Sequence, residues 1–447
     1  MSAGHLDSLY LDHVADLAQR YAVVLEALGW DGVVIDSGSL VKRSEFDDQY
    51  WPLRPLPHWQ HWVPLAEADA AIVVRRGQKP TLVRTRAASF WEKPSAPESQ
   101  AFLEALDVVW IDDPSDAKQH FGNGSVAFAG ELRGRVVGWA SDAARINPPA
   151  LLASLDALRT TKTRYEVACI AEANRRAKLG HEALRDAFRN AAGSELDLHL
   201  LYLRATAQDD PETPYKNIVA LGSNAATLHH IAYGRQARPG ASESLLVDAG
   251  AMCRGYGSDI TRTWVKGSGH AADVFEGLVA GLDALQKRLC ARVRVGQPYE
   301  DLHDESHRQV ATVLCDVGLV RGSVEEAVAT GVTRAFYPHG LGHSLGLQTH
   351  DVGCALRKPR EANALLRNTS DITVGQVFTI EPGIYFIESL LDGLRAQPAG
   401  AIVDWTAVEV LAPFGGARIE DDVHIVGGEA VIHNLTREHL PIGGGRA

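Results

Sequence analysis

Four acidic side chains sit within, or at the ends of, otherwise apolar strand-like runs. They are Asp248 in SLLVDAG, Asp259 in SDITRTWV, Glu381 in VFTIEPGIYF and Glu420 in GGARIEDDVHIV. This pattern constrains the fold more than any other in the chain, because a carboxylate in an apolar strand must be protonated, paired or bound to a cation. The first two runs read as a hairpin turning around Cys253-Arg254, which sets Asp248 directly opposite Asp259. Cβ atoms so placed lie roughly 4.5–5.5 Å apart. Two ionised carboxylates at that spacing are tolerable if one is protonated or a cation lies between them. For this hairpin taken alone, two solvated aspartates at a strand end are the simpler alternative.

The period-two alternation of a strand puts Arg418, Glu420 and Asp422 on one face. The run FYPHGLGHSLGLQTHD brings His339, His343 and His350 within twelve residues, among glycines that argue against a regular helix and let backbone pass close to a ligand. Such a cluster is a metal or proton-transfer candidate, and its bland reading is a hydrogen-bonded surface loop. Spacing does not choose among the three histidines. Together, four embedded carboxylates and a histidine cluster are hard to neutralise without metal. Five ligands, four of them carboxylates, suit a carboxylate-bridged pair of divalent ions, with Mn²⁺ the best match and Co²⁺ or Zn²⁺ the alternatives. Such a pair points to metal-assisted hydrolysis.

A chain of 447 residues exceeds one ordinary core, so two domains are expected: an α/β N-terminal domain over 1–160 and a catalytic domain over 161–447. Seven of nine tryptophans fall in the first third, which contains the strand-like runs DGVVID, AAIVVRR, PTLVRT and DVVWIDD. The stretch Trp51 to Pro64 carries Pro52, Pro55, Pro57 and Pro64 and cannot form a continuous helix. It reads as a packed loop, with a lid or subunit contact as the functional alternative. Residues 150–160 predict a short helix and Tyr165 to Asn190 a long amphipathic one. A net charge of -12 argues against non-specific nucleic-acid binding. Five scattered cysteines without CxxC spacing, and no apolar leader or span, predict a cytoplasmic protein with reduced thiols.

The motifs PYKNIVALGSNAATLHH, VDAG, DITRTW, PHGLGHSLGLQTHDV, IEPGIYFIESLL and PFGGARIEDD, in that order, resemble those of the pita-bread metallopeptidases, and among them the bacterial Xaa-Pro dipeptidases or prolidases. The resemblance covers essentially the whole chain. It implies an α/β (α+β) protein whose C-terminal pita-bread domain hydrolyses Xaa-Pro dipeptides by a hydroxide shared between two divalent metals. It also implies the metal ligands Asp248, Asp259, His343, Glu381 and Glu420, with Asp259 and Glu420 as bridges and Glu381 as general base. His229, His339, His350 and Tyr385 match residues that assist substrate binding or the transition state, and Arg418 and Arg367 match candidates for the proline carboxylate. A homodimer and a side activity on organophosphate triesters are further implications. His230 stands where the family has Tyr, and Ser344 where related enzymes often have Pro. The rival within the fold is aminopeptidase P, which acts on longer peptides. A non-enzymatic pita-bread binding module and metal-free creatinase-type hydrolysis are disfavoured by the complete ligand set.

Overall fold

The computed structural model describes residues 3–86, 100–132, 134–190, 193–237, 243–428 and 431–447. The chain divides into two compact units, Met1–Cys169 and Ile170–Ala447. Strands and helices are mixed in both, as the sequence predicts.

In the first unit, the β-branched runs at Gly32–Asp36 (β1), Ala71–Arg75 (β2), Thr81–Thr85 (β3), Asp107–Ile111 (β4) and Val126–Ala129 (β5) form one sheet of order β4-β3-β2-β1-β5. Pairing is antiparallel between β1, β2 and β3, and parallel at β3-β4 and β1-β5. Four of the five strands are the runs named above; VAFA is the addition. The proline-rich stretch is a packed loop around a short helix, Pro57–Gln60, which drives Trp59 and Trp62 fully into the core. Trp62 meets Tyr21 edge-on and its carbonyl accepts the Tyr10 hydroxyl, both from the helix Ala3–Ala27.

The second unit carries a four-stranded sheet of order β16-β10-β7-β6, where β6 is Ile218–Leu221, β7 Glu243–Asp248, β10 Thr261–Lys266 and β16 Gly444–Arg446. The hairpin tip between β7 and β10 is β8 (Met252–Cys253) paired with β9 (Tyr256–Gly257). Beyond these come β11 (Val377–Ile380), β12 (Gly383–Tyr385), β13 (Gly416–Arg418), β14 (Asp421–Ile425) and β15 (Ile432–Asn434), forming the sheets β11-β14-β15 and β12-β13. The helix His270–Arg292 repeats Phe275, Leu278, Leu282, Leu285 and Leu289 at helical spacing and buries that stripe with Phe378, Ile380, Ile384 and Ile419.

The hairpin corrects the sequence reading. Asp248 pairs with Thr261 rather than Asp259, and Met252 with Gly257. The chain turns at Arg254-Gly255, where φ is +51° and +91°, a pattern that matches the twist of a tight two-residue hairpin. The error is two positions. An even slip keeps every side chain on its face, so Asp248 and Asp259 still point the same way, set diagonally instead of directly across.

Arg262, on β10, is buried and ties the strand to its surroundings. Its guanidinium pairs with Asp421 at 2.9 Å and donates to the carbonyls of Thr261, Glu420, Leu440 and Ile442. Arg262→Leu removes a donor from each of those carbonyls and leaves Asp421 with Arg437 and Asn434. Breaking such a buried pair costs about 3–5 kcal/mol. We expect the urea midpoint of the second unit to fall accordingly; an unchanged midpoint would refute the assignment of Arg262 as a structural clamp.

Candidate metal centre

The hairpin supplies the first two carboxylates. A tyrosine hydroxyl lies between them: Tyr215 Oη is 2.7 Å from Asp248 Oδ1 and 2.5 Å from Asp259 Oδ1. Tyr215 precedes β6, whose Ile218 pairs with Asp248, so sheet pairing brings the phenol to the carboxylates. On the other side of Asp248, Arg418 Nη2 donates to Oδ2 at 2.6 Å.

His343 lies in the irregular segment after the helix Val332–Phe336 and is tied to β11 through hydrogen bonds with Thr379. Its Nδ1 is 3.0 Å from the Ser344 carbonyl, which can only accept, so Nδ1 carries a proton. Nε2 is therefore turned to the carboxylates, 3.3 Å from Asp259 Oδ2, 3.7 Å from Glu381 Oε1 and 4.0 Å from Glu420 Oε1. Asp259, His343 and Glu420 each offer one ligand atom, all within 4.8 Å of one another, and all three residues are buried. Glu381 follows β11 and Glu420 bridges to Thr261, whose hydroxyl donates to its Oε2 at 2.7 Å. The fold thus gathers Asp248, Asp259, His343, Glu381 and Glu420 from four segments of one unit.

Electrostatics show what this group lacks. Burial pushes Glu381 up to about 7 and Glu420 well above the carboxylate range, with the neighbouring carboxylates adding to both. Burial also raises Asp248, against the pull of Arg418. Burial would raise Asp259 too, but hydrogen bonds from His343 and Tyr215 hold it below its usual value. For His343 burial acts downward, yet Asp259 and Glu381 carry it up to about 9. A proton on Nε2 is doing what a cation would do. The donor set, mostly oxygen with one imidazole whose Nε2 becomes a ligand once it gives up that proton, fits a divalent metal.

The remaining expected residues fall into two groups. Arg418, Tyr385 and His339 form an inward chain. Arg418 Nη1 donates to the Tyr385 hydroxyl (2.8 Å), which donates to His339 Nε2 (2.8 Å), while His339 Nδ1 donates to the Gly340 carbonyl (2.8 Å). Burial lowers His339 to about 3, so it is neutral and both ring nitrogens are occupied. Arg418, expected at the substrate carboxylate, spends its guanidinium on Asp248, Tyr385 and Thr261. His229, His350 and Arg367 are instead exposed. His350 stands edge-on to His343 with ring centroids 4.4 Å apart; desolvation, then His343 and Arg367, lower it to about 4. His229 is near enough to depress both His339 and His350.

Sequence reasoning missed Tyr215 and an outer support. Asp422 Oδ2 accepts the Asp259 amide (3.1 Å) and Asn174 Nδ2 (2.8 Å), and the Thr436 hydroxyl donates to Asn174 Oδ1. Strand alternation puts Asp422 on the Glu420 face, but its partners lie 163 and 248 residues away in the chain, and no spacing rule reaches them.

Two outcomes follow. Tyr215→Phe removes the donor shared by the two aspartates and is expected to weaken metal affinity about 10–100-fold with the fold intact, read by metal titration calorimetry. Because burial pushes Glu381 up to about 7 and raises Glu420 in the same direction, Glu381 holds a proton below about pH 7 in metal-free protein, and metal must displace it. Affinity should therefore weaken as pH falls through 7, with protons released on refilling at pH 6. A pH-independent affinity between 6 and 8 would contradict this.

The family model for metallopeptidase family M24 matches residues 168–426, and that for the Xaa-Pro dipeptidase N-terminal domain matches residues 8–157. A Xaa-Pro dipeptidase of Shewanella pealeana is 37% identical over 444 residues, covering 97% of this chain and 98% of its own. One from Pseudoalteromonas haloplanktis is 39% identical over 443 residues, with 97% and 98% covered. Among solved structures, Zn-substituted Escherichia coli aminopeptidase P in complex with product superposes with a TM-score of 0.69 at 22% identity, over 94% of this chain and 95% of that one. Proline aminopeptidase P II from Yersinia pestis gives 0.71 at 21% identity, over 96% of each chain. At these identities the structures speak to the fold alone.

Proposed function

The chain belongs to metallopeptidase family M24, and from that premise we propose the following reading: it is a metal-dependent hydrolase of Xaa-Pro dipeptides that releases free proline. The convergence of Asp248, Asp259, His343, Glu381 and Glu420 on one buried, carboxylate-rich site carries this reading.

These five residues would hold two divalent ions, with Mn²⁺ favoured by the predominance of oxygen donors. When bound, such ions polarise the scissile carbonyl and make water nucleophilic near neutral pH. Among the four carboxylates Glu381 has the most solvent contact, which suits it to take a proton from water and return it to the departing proline nitrogen. His229 and His350, both solvent-facing, are the candidates to touch the substrate and stabilise the developing oxyanion. His339 and Tyr385 have their polar atoms committed inward and are better suited to hold the site in shape. Arg418 serves the same end by fixing Asp248. This leaves Arg367, exposed and close to His350, as the preferred partner for the proline carboxylate. A homodimer in the cytoplasm, and slow attack on organophosphate triesters, are proposed on the family resemblance. No helix among the described residues is long and apolar enough to cross a membrane.

Chelated protein should be inactive on Xaa-Pro dipeptides and recover on refilling with single metals; persistent activity without metal would refute the mechanism. The unmodified enzyme should prefer Xaa-Pro over Xaa-Pro-Yaa-Zaa, the reverse preference favouring the aminopeptidase reading. Arg367→Ala should lower kcat/KM for Xaa-Pro by about 10–100-fold, the worth of a hydrogen-bonded charge. It should leave Xaa-Pro amides nearly unaffected. An equal loss on both substrates would remove Arg367 from the carboxylate site.

A further inference from the structure

His230, the residue that departs from the family pattern, does not face the metal centre. Its Nε2 donates to Glu195 Oε2 at 2.8 Å. Glu195 opens the helix Glu195–Thr206 and is buried, at 1% exposure, where a helix N-terminus favours negative charge. Its carboxylate is saturated. Oε1 accepts the Leu221 amide (2.8 Å) and Asn224 Nδ2 (2.7 Å), and Oε2 accepts the Gly234 amide (2.7 Å) besides His230. The Gly234 carbonyl in turn accepts the Leu196 amide.

These four donors span residues 221 to 234, the segment that presents His229. One helical turn on, His199 stacks on Tyr233 of the same segment with centroids 4.5 Å apart, and its Nε2 lies 3.0 Å from Asp210 Oδ1. Asp210 also holds Lys216, the neighbour of Tyr215. His229 itself is exposed, so packing alone does not fix its position. Its neighbours on either side are bound instead.

We propose that Glu195 and His230 are a positioning pair for catalysis, a bracket that holds the 221–234 segment so that His229 stands over the substrate carbonyl. The inference rests on the role assigned to His229 above. His230 acts through Glu195 and touches neither substrate nor metal.

The test compares His230→Phe, which removes the donor, with His230→Gln, which keeps an N–H near the Nε2 position, in metal-replete full-length enzyme. His230→Phe should lower kcat about tenfold, the scale of one hydrogen bond to a charged group, with KM, bound metal and thermal midpoint nearly unchanged. His230→Gln should recover most of the loss. In a His229→Ala background the same His230→Phe change should alter kcat less than twofold, because residues acting in series are not additive. Equal effects in both backgrounds, or loss of bound metal, would overturn the proposal. Hydrogen exchange gives a readout independent of activity: His230→Phe should speed exchange in 226–234 about tenfold or more and leave β7 and β10 unchanged. Unaltered exchange there would also overturn it. If the unmodified enzyme released no proline from any Xaa-Pro dipeptide, the functional reading would fail, and the exchange result would still decide whether the bracket exists.

Discussion

Asp248, Asp259, Glu381 and Glu420 bring four potential negative charges into one pocket, set against the guanidinium of Arg418 and the ring of His343. At roughly 4 Å and an effective dielectric near 20, each like-charged pair costs about 4 kcal/mol. Two or three such pairs would consume most of a domain's net stability, about 5–15 kcal/mol. The pocket cannot exist with all its carboxylates ionised unless positive charge enters. The raised Glu381, Glu420 and His343 are the protein's own partial answer, made with protons. A cation is the complete one. Tyr215, Thr261 and the Asp422–Asn174 link then read as the frame that keeps the oxygens from separating.

That frame explains why so much of the second unit is polar inside. Arg262 and Arg437 meet Asp421 behind the site, and Arg418 crosses from β13 to Asp248. Buried ion pairs are weak sources of stability, because desolvation offsets the attraction. Here they do something else. They lock the approach of β10 to the 418–421 segment, and that approach sets the distance between Asp259 and Glu420. The stability of this unit rests on the helix His270–Arg292 and its apolar stripe, while the charges specify geometry.

How much was legible in the sequence follows from the range of each interaction. Alternation and turn chemistry act over a few residues, so the strands around Asp248, Asp259 and Glu381 could be read directly. The two-position register error shows the limit. The tip at Arg254-Gly255 offered two turn placements, and side-chain parity is blind to an even slip. The shared face of the aspartates survived for that reason, while their direct opposition did not. Tyr215 and Asn174 reach the site only through sheet pairing and long-range packing, which no local pattern encodes. The selection of His343 from three histidines needed the family resemblance, because their spacing does not distinguish them. Its Nδ1 is satisfied by backbone, so Nε2 faces the carboxylates, whereas His339 has both nitrogens engaged elsewhere.

Scaffold and specificity part company at this point. The aminopeptidase P structures share this fold at 21–22% identity, and the dipeptidases share sequence at 37–39%. Both observations can hold because the carboxylates sit on or beside strands whose register leaves little freedom, while Arg367 and His229 sit on irregular segments. The Arg367 segment is pinned from below: Arg360 pairs with Glu300, Asp301 and Asp304, and Asn363 donates to Glu300 and Asp304. The His229 segment is pinned by Glu195. A change in either anchor would move the proposed substrate contacts, Arg367 or His229, and leave the strand-borne carboxylates in place. Changes in how the loops present their side chains are therefore to be sought in such anchors, and the Glu195–His230 pair is one of them.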